Sequence, residues 1–252
     1  MSLRPKILTI AGFDPSGGAG VLADIKTFEA HRCLGFAVNT ANTVQNEIEF
    51  IAPYWVDEKV VFEQLDVLLQ QHYFEYFKVG LIPSLNFLNK IISKLKLQPL
   101  KPKTSNIKII WDPILSSTSG FVFEHDLSEL KIVLKHIYII TPNWNETKQL
   151  SGNKDAIFGA KELAQHTIVY LKGGHSEQQG KDYLFYNGNQ YPLNPKSKKS
   201  IYDKHGSGCV FSSALTANLT KEYPMLKACL RSKRYIEKYL SSSTELLGYH
   251  KI

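Results

Sequence analysis

Two short stretches hold chemistry out of proportion to their length. The first is His205-Gly206-Ser207-Gly208-Cys209, running on into Val210-Phe211-Ser212-Ser213-Ala214-Leu215. Gly206 and Gly208 leave the backbone N–H groups of residues 206–209 free to converge at a helix N-terminus, where the helix dipole favours an anion. Cys209 stands at the start of that helix and reads two ways. It is either a small buried core residue or a thiol whose pKa is lowered by the helix end and nearby cations. In the second reading it takes a proton from a substrate alcohol, while the amides of Gly206, Ser207 and Gly208 stabilise a transferring phosphoryl group. The stretch fails as a dinucleotide fingerprint, because Phe211 stands where a third Gly or Ala belongs. A metal pair of His205 and Cys209 lacks nearby partner ligands.

The second stretch is Ala11-Gly12-Phe13-Asp14-Pro15-Ser16-Gly17-Gly18-Ala19-Gly20. So many small residues in succession let backbone amides approach a ligand closely. No Gly-Lys-Ser/Thr follows, so it is not a nucleotide P-loop. Asp24, on the helix behind it, either reaches back into the site or faces solvent. Three further constellations join these two. Gln45, in "TVQNE", offers an amide donor and acceptor side by side, the complement of an aminopyrimidine edge, although a glutamine at a strand end is also an ordinary surface residue. Asn143 and Glu146 have the spacing of a capping box, and the same two polar groups suit a hydrated Mg²⁺ held through water. Lys172, in Lys172-Gly173-Gly174-His175, places a cation beside two glycines, as a phosphate site requires.

The elements that must position these residues follow from hydrophobic periodicity. Strand-like runs cover "KILTIAG", Phe36–Val44, "YFKVGLI", "IKIIWDP", "IYIITP" and "TIVYLKGG". Helical patterns lie between them: Val21–Arg32, Glu58–Gln71, Leu85–Leu97, Leu127–Lys135 and a helix from Asn143. Continuous apolar strands alternating with helices predict an α/β fold with a mostly parallel sheet covered on both faces. "DYLFYNGNQYPL" predicts a hairpin turning at Asn187-Gly188, and two helices, Gly208–Leu219 and Met225–Leu246, close the chain. One domain spanning residues 1–252 is expected, with the ligand beyond the carboxyl ends of the strands, where all these constellations fall.

Composition narrows the function classes. Cys33, Cys209 and Cys229 are odd in number and far apart, the pattern of a reduced, cytoplasmic protein. Met1–Pro5 leads directly into a strand-like run, so neither a secretory leader nor a membrane span is expected. The net charge of +7 is uneven: residues 1–126 hold 12 Lys and Arg against 13 Asp and Glu, and residues 127–252 hold 18 against 10. A basic half fits a solvated face or phosphate handling. It does not make a nucleic-acid site, because the densest cluster, Lys196, Lys198 and Lys199, lies in a loop without interleaved aromatics.

Taken together, "AGFDPSGGAGVLADIKTF", "TVQNE", "KVGLI", "DPILSSTSG", "TPNWNE", "LKGGH" and "HGSGC" resemble, in order and spacing, the phosphomethylpyrimidine kinase family. The resemblance covers nearly the whole chain. It implies a ribokinase-like three-layer αβα sandwich and a homodimeric enzyme of thiamine biosynthesis that uses ATP and Mg²⁺. Its substrate would be 4-amino-5-hydroxymethyl-2-methylpyrimidine and then the monophosphate. By the same resemblance Gly12, Ala19, Asp24 and Gln45 would line the pyrimidine pocket. Asp112, Asn143 and Glu146 would lie near Mg²⁺ and the phosphates, and Lys172 would neutralise transferred charge. Gly206, Ser207 and Gly208 would form the anion hole, with Cys209 where many sugar kinases of the fold carry an aspartate base. Three positions depart from the pattern. Phe13 replaces a serine, and Lys204 and Val210 replace small hydroxyl residues beside the anion hole, with Lys204 expected to substitute a charge there. The rival readings are a pyridoxal kinase and a pyrimidine-binding protein that has lost its chemistry.

Overall fold

A computed structural model of the chain describes every residue except 1–3, 100–101, 103–105, 117–119, 124–125, 175–179, 197–199 and 251–252. His175, Lys198, Lys199 and the serines of "DPILSSTSG" beyond Ser116 therefore lie outside the described residues. The described chain forms one sheet of nine strands. They are β1 (Lys6–Phe13), β2 (Leu34–Gln45), β3 (Phe50–Trp55), β4 (Tyr76–Val79), β5 (Lys108–Trp111), β6 (Ile139–Ile140), β7 (Ile168–Leu171), β8 (Asp182–Tyr186) and β9 (Asn189–Leu193). Their order across the sheet is β3-β2-β1-β4-β5-β6-β7-β8-β9. β2, β1, β4, β5, β6 and β7 run parallel, while β3, β8 and β9 pair antiparallel at the two edges.

Strand alternation sorts the core into two layers. Leu8, Ile10, Phe77, Val79, Ile109, Trp111 and Val169 point to one face. There they meet α2 (Glu58–Gln71), α3 (Leu85–Lys96), α4 (Leu130–Leu134), α5 (Trp144–Ser151) and α6 (Ala156–Leu163). Ile7, Ile110, Ile139, Tyr170 and Leu184 point to the other, against α1 (Gly20–Ala30), α7 (Ser207–Thr220) and α8 (Met225–Leu240). Helix α7 is buried without interruption from Cys209 to Leu219, as a helix does when it lies between the sheet and other helices. The expected three-layer αβα sandwich with a mostly parallel sheet is therefore what the chain forms.

The structure adds two elements to those expected and shortens a third. Phe50–Trp55 is a strand, despite Pro53; a proline is tolerated there because β3 is an edge strand. Ala156–Leu163 forms a helix of its own, capped by the Asp155 side chain on Phe158 N–H. Helix α8 ends at Leu240, not Leu246. The run Ser241-Ser242-Ser243 follows, and serines there bond to nearby backbone in place of continuing the helix. Ser242 Oγ donates to Tyr239 O at 2.7 Å and accepts from Tyr249 N at 2.8 Å, turning the chain back on itself.

Leu88 of α3 is fully buried in the larger layer. Leu88→Ala is expected to cost about 2–5 kcal/mol of folding stability, read as a lowered midpoint in urea denaturation with an unchanged slope.

Candidate active site

The floor of the site is charged. In the parallel register of β1 and β4, Thr9 lies opposite Lys78, and both point to the α7 face because their neighbours Phe77 and Val79 point away. Asp24 of α1 fits between them. Its Oδ2 accepts from Thr9 Oγ1 at 2.6 Å and from Lys78 Nζ at 2.9 Å, and its Oδ1 accepts from Ser213 Oγ of α7 at 2.6 Å. Both side chains of the Lys78–Asp24 pair are fully buried. Asp24 thus faces neither solvent nor an open pocket; it ties β1, β4 and α7 together from below. Lys78 was not among the expected site residues. Its signal was a lysine inside an otherwise apolar strand.

The next strand ends supply a second set of charges. Asp112, directly after β5, accepts from Lys172 Nζ at 2.9 Å and Thr141 Oγ1 at 3.1 Å through Oδ1, and from Ser212 Oγ at 3.3 Å through Oδ2. Burial opposes its charge, but the ammonium groups of Lys172 and Lys78 outweigh burial and hold its carboxyl below the usual range. Asn143 and Glu146 do form the capping box of α5: Glu146 N donates to Asn143 Oδ1 at 2.9 Å, and Asn143 N donates to Glu146 Oε2 at 2.6 Å. Glu146 Oε2 also lies 3.8 Å from Lys172 Nζ. Burial pushes Glu146 up to about 7, with Lys172 opposing and Asp112 reinforcing. One residue pair therefore caps the helix and lines the site.

Above these charges sits the start of α7. Gly206 is left-handed, with φ 68°, and a Cβ there would fall 2.1 Å from Gly18 O and 2.7 Å from Ala19 Cβ, so the two glycine-rich stretches touch. Ser207 N–H donates to Lys204 O at 3.3 Å. The next two amides, of Gly208 and Cys209, have no acceptor among the described residues, as the first turn of a helix leaves them. A Cβ at Gly208 would lie 3.1 Å from Lys172 Nζ, so glycine lets the lysine reach the helix start. The expected lowering of the Cys209 thiol pKa does not hold. Burial pushes the thiol up to about 11; Lys78 opposes this, and the carboxylates of Asp112 and Asp24 add to it.

On the other side, Gln45 Nε2 donates to Thr43 Oγ1 at 2.7 Å, and Thr43 Oγ1 donates to Phe13 O at 2.7 Å. This chain of bonds joins the Gln45 amide to the end of β1, where Gly12 packs on Ala41 and Leu81. Asp14 organises the loop that follows, accepting from Ala19 N at 2.8 Å and bonding His205 Nε2 at 2.9 Å. The expected role of Lys204 is overturned, and Val210 turns away from the site. Lys204 brings no charge to the anion hole; its Nζ donates to the carbonyls of Ser243 and Glu245 and so holds the returning C-terminal segment. Val210 faces Ala23 and Tyr239 in the core, so a hydroxyl there would not reach a phosphate. Phe13 is partly exposed at the rim.

Gly206→Ala is expected to destabilise the protein by more than about 1 kcal/mol, because the position is left-handed and has no room for a methyl. Gly174→Ala, where nothing lies within 4 Å of the added atom, is expected to leave the thermal midpoint unchanged; the pair of melting curves checks both.

The family model for phosphomethylpyrimidine kinase matches residues 14–251. A hydroxymethylpyrimidine/phosphomethylpyrimidine kinase of Aquifex aeolicus is 32% identical over 249 residues, covering 95% of each chain. The phosphomethylpyrimidine kinase structure from Clostridium difficile 630 superposes with a TM-score of 0.74 at 30% identity, covering 92% of this chain and 98% of that one. Pyridoxal kinase from Staphylococcus aureus, in complex with AMP-PCP and pyridoxal, superposes with a TM-score of 0.81 at 23% identity, covering 98% and 92%; at that identity the likeness concerns the fold. The fold is ribokinase-like, and the chain belongs to the phosphomethylpyrimidine kinase family.

Proposed function

We propose that this chain transfers the γ-phosphoryl group of ATP to the hydroxymethyl group of 4-amino-5-hydroxymethyl-2-methylpyrimidine, and then to the resulting monophosphate, as a step of thiamine biosynthesis. The observation that carries the reading is the start of α7. There two unpaired amides, the Lys172 ammonium and a thiol meet at one point, beside a rim that ends in the Gln45 amide. The amides of Gly208 and Cys209 receive the transferring phosphoryl oxygens, and Lys172 offsets their charge. Gln45 Oε1 and Nε2 meet the exocyclic amine and ring nitrogen, with Gly12 and Ala19 leaving room for the ring. Cys209 acts through the small thiolate fraction of a thiol that burial pushes up to about 11: the alcohol proton passes to Sγ, the alcohol oxygen bonds to the γ-phosphorus, and the bond from that phosphorus to the leaving ADP oxygen breaks. Such transfer depends mainly on positioning and electrostatics.

Among the described residues no group of three or more His, Cys, Asp or Glu side chains could hold a metal by itself. Mg²⁺ fits nonetheless, because it takes one or two carboxylates and completes its shell with water and phosphate oxygens. Buried Glu146, which burial pushes up to about 7 against the opposing charge of Lys172, would hold it through water with Asn143 and Asp112, and the ion would neutralise the ATP phosphates. The proposal includes a cytoplasmic homodimer, as the family resemblance implies. Among the described residues no helix is long and apolar enough to cross a membrane.

A coupled ATP-consumption assay with Mg²⁺ is expected to show turnover of the pyrimidine alcohol and of its monophosphate, and weaker turnover of pyridoxal. Folded protein that turns over none of them is a binding protein; pyridoxal preferred over the pyrimidine makes it a pyridoxal kinase. Cys209→Ala is expected to lower kcat by about 10²–10⁴-fold, the usual contribution of a positioned base, with an unchanged melting temperature. Gln45→Ala is expected to raise KM for the pyrimidine by about tenfold or more, the equivalent of two lost hydrogen bonds, leaving KM for ATP unchanged.

A further inference from the structure

Lys78 pairs with Asp24 in the fold, but the phosphate chemistry above makes no use of it. It is a fully buried lysine in the middle of a central strand, a placement that costs several kcal/mol and that an apolar residue would fill more favourably. Its ammonium has three protons and, among the described residues, one hydrogen-bond acceptor, Asp24 Oδ2. Buried polar groups left short of partners call for an explanation. The ammonium lies at the level of the substrate pocket: a Cβ on Gly80 would come within 2.8 Å of Nζ and 3.0 Å of Ala11 Cβ, next to Gly12. A side chain at position 80 would displace it.

Helix geometry sets what lies over it. Ser213, which bonds the Asp24 that pairs with Lys78, is four residues beyond Cys209, so both occupy one face of α7. The thiol stands one turn closer to the helix N-terminus on that face. Charged and titratable groups reach Cys209 from Lys78 on β4, Asp24 on α1, Asp112 beyond β5, Lys172 beyond β7 and Tyr239 on α8. Lys172 is already engaged with Asp112 and Glu146 and, on the reading above, with phosphate. Lys78 Nζ is hydrogen-bonded among the described residues to Asp24 alone, and its charge acts on Asp112 as well as on Cys209.

We infer that Lys78 is a positioning residue for Cys209: a fixed internal cation that offsets part of the cost of burying the thiolate that takes the alcohol proton, with Asp24 setting how much of that charge the thiol feels. This rests on the reading of Cys209 as proton acceptor. In the transfer the proton moves from the alcohol to Sγ and the ammonium keeps all of its own, so Lys78 stabilises the thiolate and does not itself exchange a proton.

The test reads the thiol without any substrate. Alkylation of Cys209 by iodoacetamide, followed by peptide mass spectrometry at mildly alkaline pH, reports its thiolate fraction. Lys78→Met is expected to slow alkylation of Cys209 by about tenfold or more, the effect of one pKa unit. Asp24→Asn, which frees the lysine from its counter-charge, is expected to speed it by a similar factor. The rising limb of the kcat/KM pH profile should move up in Lys78→Met and down in Asp24→Asn. Opposite signs support the inference. Both variants slowing alkylation, or neither changing it, overturns the inference, and so does an unmoved pH limb. Should Lys78→Met fail to fold, Asp24→Asn decides: faster alkylation supports the role, and unchanged or slower alkylation removes it. Failure of the catalytic reading is separate, because it would appear as undiminished turnover in Cys209→Ala.

Discussion

Helix α7 begins over two buried carboxylates, and its first turns are fastened to both. Ser213 donates to Asp24 and Ser212 donates to Asp112, while Lys78 and Lys172 neutralise those two acids at 2.9 Å each. Burying four charges is tolerable only when each is paired and hydrogen-bonded. Once that condition is met, the arrangement is stiff: breaking any one pair would leave an uncompensated charge in the core. The helix N-terminus, with its unpaired amides, is therefore held over the strand ends by the same groups that give the site its charge.

The rest of the site depends on that placement. The parallel strands β1, β4, β5 and β7 deliver Gly12, Gly80, Asp112 and Lys172 to the carboxyl end of the sheet, where ligands of such folds bind. Gly206 then lets the start of α7 press against Gly18 and Ala19, and the Asp14–His205 bond joins the two glycine-rich stretches. Lys204 and the backbone of His205 fasten the returning C-terminal segment to the same loop. The thiol environment follows from this enclosure. Cys209 is buried among these cations and acids, and burial outweighs the cations, so its thiol is pushed up.

Much of this was legible in the sequence, for physical reasons that differ by element. Continuous apolar runs such as "KILTIAG" and "TIVYLKGG" can only be strands covered on both faces, and so the parallel sheet was readable. The small residues of "AGFDPSGGAG" and "HGSGC" marked close backbone approach, and the structure brings those two stretches into contact. What escaped was direction. Nothing in the local pattern tells that Val210 turns toward Ala23, that Lys204 turns toward the C-terminal carbonyls, or that Asp24 turns beneath the sheet edge. Lys78 escaped because a strand pattern reports average apolarity, whereas its partner Asp24 is distant in sequence. The thiol was misjudged for the same cause: the cost of burial depends on what closes over Cys209, and that includes α8 and the segment after it.

Three proposed contacts meet at one centre: the ring edge on Gln45, the phosphoryl oxygens on the amides of Gly208 and Cys209, and the reacting alcohol at Cys209 Sγ. A crystal structure with the pyrimidine alcohol and a non-hydrolysable ATP analogue measures all three at once. The expected result has the alcohol oxygen within hydrogen-bonding distance of Sγ and in line with the γ-phosphorus. An alcohol oxygen directed away from Cys209, with the γ-phosphate bound elsewhere than the start of α7, would contradict the account.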